Sequence, residues 1–448
     1  MLDSNTTRLI TKALSASIAN KEIAGANFMV IQDGQESWYH EDGFADIEAG
    51  RKMSRDSIFR LYSMTKPVTA AAVMLLLERG EIDLFDPVSQ YIPGFKNQKV
   101  GKNGELVPVS REVDINDLLN MTSGLVYGGE DLAGQCTEAL YQELNSRLFG
   151  TNPMSTLEFA NRLGEGPLAF EPGTSWQYGT SADVLGALVE VVSGMRYGEF
   201  LQQEIFGPLQ MNDTGFWLPE DKRERLACVY QDDGEGGLTP FSESHLGVNH
   251  HMDREAAYEA GGAGLVSTIE DAAKFTTMLM NQGSLNGVEL LKPRTVQFMT
   301  SASLTNSQQQ GFNPWHSLQG YSYGNQMRIL TDPGQAGGLG SQGEYGWDGW
   351  LGAYFANCPQ EGLTILFMIQ KKDAGTLPIT RKLRNIVLSA FLSTTLRVQF
   401  LSGYPDKNWT LFFWTFFIVN ERLWSPILYS YHRAFSLFTA ITSRKRSG

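Results

Sequence analysis

Residues 59–95 read FRLYSMTKPVTAAAVMLLLERGEIDLFDPVSQYIPGF, and this stretch decides how the rest of the chain is understood. Its run SMTKPVTAAAVMLLLERGEIDL predicts a strongly apolar helix whose first turn holds Ser63 and Pro67, a position where proline's missing N–H is not needed. Ser63 and Lys66 are three residues apart, so hydroxyl and amine share one face. A serine hydroxyl is a poor nucleophile until a base within hydrogen-bond reach takes its proton. A lysine among apolar groups sheds its own proton more easily and can be that base, while the helix N-terminus favours negative charge developing beside Ser63. A Ser-x-x-Lys tetrapeptide alone is expected by chance in a chain this long. Its place at the head of the most apolar helix sets this one apart.

Outward from that helix, residues 5–20 show helical spacing, and AGANFMVIQDG and ESWYHEDGFAD predict two strands joined by a glycine-containing turn. NDLLNMTSGL, STLEFANRLGEG, SADVLGALVEVVSG and STIEDAAKFTTMLMNQG are amphipathic helical segments ending near glycine. The period then drops to two in YSYGNQMRIL, LGAYFANC and GLTILFMIQ, read as strands, before a helix near 378–392. Strands at both ends with helices between predict a sheet built from residues 1–85 and 320–395, with an all-helical insert over 86–319. Together these make one domain, 1–395. Residues 396–448 form an aromatic-rich extension of unknown role. Its first apolar run, WTLFFWTFFIV, is well short of the roughly 20 residues a spanning helix needs, so membrane contact through this tail is not favoured.

Composition narrows the function. The chain has 448 residues, 42% of them hydrophobic, which is enough for a large core. A formal charge of −13 repels phosphate backbones and argues against nucleic-acid partners. Cys136, Cys228 and Cys358 are too few and scattered for a disulfide framework or a cysteine zinc site. The start MLDSNTTRLITKALSASIAN lacks a basic region followed by an apolar one, so a cytoplasmic setting is expected. His245, His250 and His251 lack a metal-binding pattern and are read as solvated loop histidines. Gly320–Gly324 matches G-x-S-x-G, but no strand precedes it and no helix follows, so Ser322 is read as structural. Gly338–Gly343 matches G-x-G-x-x-G without a crossover helix and is read as a loop. Nothing in the sequence speaks to oligomeric state.

With these blocks in order, the chain closely resembles the superfamily of serine β-lactamases, penicillin-binding proteins and family VIII esterases. The segment 59–95 is similar to its first motif, DLLNMTSGL to the next landmark, and EPGTSWQYGTSADVLGALVEVVSG to the second catalytic motif. AGGAGLVSTIEDAAKFTTMLMNQG and GSQGEYGWDGWLGAYF resemble the later ones. The resemblance runs to about residue 395. It implies a β-lactamase/transpeptidase-like α/β (α+β) fold, an antiparallel sheet flanked by helices, with the active site in the cleft between sheet and insert. It also implies a Ser63 acyl-enzyme, Lys66 sharing the proton, Tyr178 acidified by Lys66 as second base, and an oxyanion hole from the backbone N–H groups of Ser63 and Trp350. No metal or cofactor is implied.

Two departures bear on substrate. Thr180 stands where class C β-lactamases have asparagine, and Trp347-Asp348-Gly349 stands where Lys-Thr-Gly is usual. Without that lysine and asparagine, and with Asp348 expected to repel a substrate carboxylate, a small-molecule ester is favoured over a lactam. Tyr127, Thr180, Trp347, Asp348 and Gly349 are the expected pocket residues, and Tyr345, Trp347 and Trp350 suggest an apolar acyl pocket. The rivals are a β-lactamase, D-Ala-D-Ala carboxypeptidase or D-aminopeptidase acting on amides, and a non-catalytic penicillin-binding-like sensor.

Overall fold

The computed structural model describes residues 2–102, 105–375 and 377–391. Its main sheet runs, in spatial order, Tyr321–Gly324, Met327–Leu330, Tyr345–Asp348, Tyr354–Cys358, Leu363–Met368, Gly25–Gln32, Gln35–Asp46 and Arg51–Lys52. Every pairing is antiparallel. The early and late strands meet where Gly25–Gln32 pairs with Leu363–Met368, in register from Asn27 opposite Met368 to Gln32 opposite Leu363. Both strands are buried on both faces, which is why NFMVI and LTILFM are apolar without alternation.

Helices Ser4–Ala19 and Pro378–Ser389 cover one face, where Ile10, Leu14, Leu383 and Val387 pack with Phe28, Val30, Tyr354 and Phe367. Asp3 caps the first of these helices by accepting from the amides of Asn5 and Thr6. The other face carries the larger core, which includes helix Lys66–Glu78. That helix is buried at every position from Lys66 to Leu76, so it is apolar all round rather than along one stripe.

Asp33 and Gly34 link the first two strands with φ of 50° and 76°, the left-handed pair that a two-residue hairpin requires. YSYGNQMRIL, read from its period as one strand, is instead a hairpin of Tyr321–Gly324 and Met327–Leu330 turning at Asn325 and Gln326, with φ of 47° and 67°. Glutamine is not a turn signature. It holds the left-handed conformation because its side-chain amide donates to the carbonyls of Leu118 and Leu119, at 2.7 and 3.2 Å.

The segment 86–319 holds helices Ile115–Asn120, Leu132–Arg147, Thr156–Glu165, Ser181–Ser193 and Ile269–Met280. It is not helix throughout. Short ladders pair Lys99–Lys102 with Glu105–Pro108, Val229–Asp232 with Leu238–Phe241, and Ser284–Leu285 with Val288–Glu289. Strands of two to four residues are too brief to give a periodic signal. The extension 396–448 lies outside the described residues.

Glu344 and Arg384 form a buried ion pair, with the Tyr321 hydroxyl donating to Glu344 at 3.0 Å. Arg384→Met leaves that carboxylate buried without its cation. Urea unfolding is expected to show a loss of about 3–5 kcal/mol, much of it recovered in Glu344→Leu/Arg384→Met.

Candidate active site

The chain is anchored just before Ser63 by the ladder Phe59–Arg60 with Val266–Ser267, and the Leu61 amide donates to the Leu265 carbonyl at 2.8 Å. A 3-10 turn, Tyr62–Thr65, then feeds helix Lys66–Glu78. Ser63 therefore sits in the turn ahead of the α-helix, not inside its first turn as the sequence suggested. Tyr62 has φ of 45°, a strained conformation for an aromatic residue that persists only when its surroundings impose it. Here they do. Its hydroxyl is 2.6 Å from His250 Nε2, and its ring meets the Trp350 indole at a centroid distance of 4.9 Å.

Lys66 is fully buried. Its Nζ donates to Ser63 Oγ at 3.1 Å, the Tyr127 hydroxyl at 2.9 Å and the Gly262 carbonyl at 2.8 Å. Burial lowers its pKa to about 7, against the opposing charges of Asp183 and Asp348. Tyr178 lies across the same amine, its ring centroid 4.7 Å from Nζ. The Tyr178 hydroxyl accepts from Trp347 Nε1 at 3.1 Å. Burial pushes the Tyr178 pKa up, more than the Ser63 and Trp347 side chains beside its hydroxyl pull it down. The phenol is therefore neutral near pH 7, unlike the acidified tyrosine the resemblance implied.

The strand Tyr345–Asp348 delivers the third motif against the nucleophile turn. A Cβ on Gly349 would lie 2.1 Å from the Leu61 carbonyl oxygen, so only glycine allows the strand this close. The next amide, that of Trp350, has no backbone acceptor among the described residues. The Ser63 amide is in the first turn of a helical segment, where N–H groups lack intrahelical partners. These two donors are the expected oxyanion hole.

Strand alternation separates the remaining third-motif residues. Trp347 faces Tyr178, Tyr323 and Trp315, at centroid distances of 5.6, 5.2 and 5.9 Å. Asp348 points to the opposite face of the sheet, where the Arg328 guanidinium, stacked over Tyr354, lies 3.7 Å from it. The expectation that Asp348 lines the pocket and repels a carboxylate is corrected: its charge is turned away and met by Arg328. Thr180 is fully buried, its hydroxyl without a partner among the described residues, so it does not present that group to the cleft. Tyr345 is buried too, its hydroxyl accepting from Asn357 at 3.0 Å.

Other groups were missed from sequence. Half-buried Trp315 packs on Tyr178 at 5.2 Å. His245 and His250, read as solvated, surround Trp350, with the His245 ring tilted against it at 4.2 Å and His250 buried on Tyr62. Their aromatic role has no sequence period. Asp183 stands in the first turn of helix Ser181–Ser193, five residues past Tyr178, and that offset within the second motif was the available clue. Ser322 lies buried in a hairpin strand, consistent with a structural role. Among the described residues no cluster of histidine, cysteine and acidic side chains is placed to hold a metal.

The Beta-lactamase family matches residues 10–387. Esterase EstB of Burkholderia gladioli is 31% identical over 385 residues, covering 83% of this chain and 92% of the esterase. Among solved structures, EstCE1, described as a hydrolase with promiscuous acyltransferase activity, superimposes with a TM-score of 0.73 at 23% identity, over 86% of this chain and 98% of its own. Simvastatin synthase LovD from Aspergillus terreus gives 0.72 at 22%, over 87% and 98%.

Gly349→Ala is expected to push the strand off the nucleophile turn. The rate of Ser63 labelling by a fluorophosphonate should fall about 10²-fold while the far-ultraviolet circular dichroism is kept.

Proposed function

This chain belongs to the beta-lactamase family, and on that premise we propose that it is a carboxylic ester hydrolase, able to pass its acyl group to an acceptor alcohol, that works through a Ser63 acyl-enzyme. The observation that carries the reading is a fully buried Lys66 amine 3.1 Å from the hydroxyl of a half-exposed serine, with its pKa lowered to about 7. At neutral pH a large fraction of such an amine is unprotonated and can accept a proton.

In acylation, Ser63 Oγ bonds to the ester carbonyl carbon as its proton moves to Lys66 Nζ. Negative charge gathers on the carbonyl oxygen, where the amides of Ser63 and Trp350 donate to it. The bond to the alcohol oxygen then breaks, and that oxygen takes the proton back. Tyr178, neutral and packed against the Lys66 amine, hands it over in this reading. A water or second alcohol repeats the sequence on the acyl-enzyme, giving its proton to Lys66 while Ser63 Oγ leaves and is reprotonated.

An ester is favoured over a lactam or D-Ala-D-Ala peptide because the third motif places an indole, committed to Tyr178, where an ammonium would hold a substrate carboxylate. Half-buried Tyr127, Tyr178 and Trp315 offer an aromatic wall beside Ser63. The resemblance to esterase EstB supports the same choice.

Intact-protein mass spectrometry after mixing with p-nitrophenyl butyrate, and separately with a penicillin, tests this reading. We expect ester turnover and a butyryl adduct absent from Ser63→Ala, with little reaction of penicillin; a stable penicilloyl adduct without ester turnover would overturn it. Tyr178→Phe is expected to lose about 10²–10⁴-fold in kcat on the same ester. Because the base must be neutral, kcat/KM should decline as pH falls through about 7, where Lys66 becomes protonated, in a stopped-flow pH profile.

A further inference from the structure

In the proposed reaction the fully buried Lys66 amine becomes charged in place. When it accepts the serine proton, an ammonium is created in a site from which solvent is excluded. Such a charge is costly unless an opposite charge or several dipoles face it. The groups around it come from five elements. Its own turn offers Ser63. The loop after helix Ile115–Asn120 offers the Tyr127 hydroxyl, and the segment entering helix Ser181–Ser193 offers Tyr178. The loop before Val266–Ser267 offers the Gly262 carbonyl. The strand Tyr345–Asp348 adds the charge of Asp348, felt across the sheet but paired with Arg328. All but the last are neutral.

Behind these neutral partners stands Asp183, 2% exposed. Its Oδ1 accepts from the Tyr258 hydroxyl at 2.7 Å and from the Gly262 amide at 3.1 Å. Its Oδ2 is buried with no hydrogen-bond partner among the described residues. A Cβ on Gly262 would lie 2.8 Å from that Oδ2 and 3.1 Å from the Tyr127 hydroxyl. The free carboxylate oxygen and the Tyr127 hydroxyl that touches Lys66 therefore border the same spot, which glycine leaves open. The same residue that gives its N–H to Asp183 gives its carbonyl to Lys66.

We infer that Asp183 is a positioning residue for acylation: its carboxylate fixes the Gly262 peptide whose carbonyl holds Lys66, and it supplies the negative charge that stabilises the Lys66 ammonium formed when Ser63 gives up its proton. The inference rests on the proposed role of Lys66 as base. Two observations support it electrostatically. Burial raises the Asp183 pKa on balance, and Lys66 is the foremost group opposing that rise, just as Asp183 is the foremost charge opposing the fall that burial imposes on Lys66. An ordinary structural reading, an acid in the first turn of a helix, explains the sequence position. It does not explain an unpartnered oxygen turned toward the Lys66 cluster.

The test is the pH profile of kcat/KM on p-nitrophenyl butyrate for wild type, Asp183→Asn and Lys66→Ala. Asparagine keeps the shape and an acceptor for Tyr258 and Gly262 but removes the charge. We expect its plateau to fall about 10²-fold, because the ammonium formed in the transition state loses its counter-charge. We also expect the acid limb to move to lower pH by about one unit, because a lysine without that carboxylate is easier to deprotonate. A purely structural Asp183 would lower the plateau and leave the limb in place, and that result overturns the inference. Lys66→Ala with wild-type kcat/KM would instead remove the base on which the inference rests. Lys66→Ala inactive with an unmoved limb in Asp183→Asn would reject Asp183 alone. If Asp183→Asn does not fold, Asp183→Ser is measured in the same way.

Discussion

The active site depends on one unfavourable act, the burial of the Lys66 amine. An exposed lysine beside Ser63 would be an ammonium at neutral pH and useless as a base. Full burial brings its pKa down to about 7, and burial is possible only because the helix it opens is apolar on every side. The helix that looks like mere core is thus the device that sets the protonation of the site. Three acceptors, from Ser63, Tyr127 and Gly262, satisfy all three protons the amine can carry, so its charged form is still tolerated when it appears.

Around that amine, geometry is held by close backbone approaches and by rings packed edge-on and tilted. Gly349 lets the third motif meet Leu61, and Gly262 leaves room between Asp183 and Tyr127. Tyr62, kept left-handed by His250 and Trp350, ties the nucleophile turn to the residue that follows Gly349. The two expected oxyanion donors, at Ser63 and Trp350, are neighbours of this clamp, so their spacing is fixed by packing before a substrate arrives.

Much of this was legible in the chain. Ser63, Lys66 and Tyr178 stand in local motifs that a sequence displays, and the structure brings all three together with Tyr127 and Trp347. The central strands were legible because burial on both faces makes them largely apolar without alternation. What failed was what depends on partners distant in sequence. The hairpin at Asn325-Gln326 is fixed by carbonyls of Leu118 and Leu119. The side of the sheet to which Asp348 turns follows from strand parity and from Arg328, twenty residues earlier. His245 and His250 looked like loop polar residues because a sequence does not reveal that Trp350 covers them. Tyr178 was expected to be acidic by analogy, but its burial decides otherwise.

The pairing of Gly25–Gln32 with Leu363–Met368 also has a consequence for how the chain is made. During synthesis the strand 25–32 and its hairpin partner emerge early, while the strand that completes their apolar edge is more than three hundred residues away. At roughly 5–20 residues per second, that edge waits on the order of tens of seconds. Throughout that interval a row of unpaired amides and carbonyls on a largely apolar strand is open to any other extended chain. The nascent protein therefore has its greatest exposure to mispairing before the catalytic core can close, and folding is gated by the arrival of the last strand.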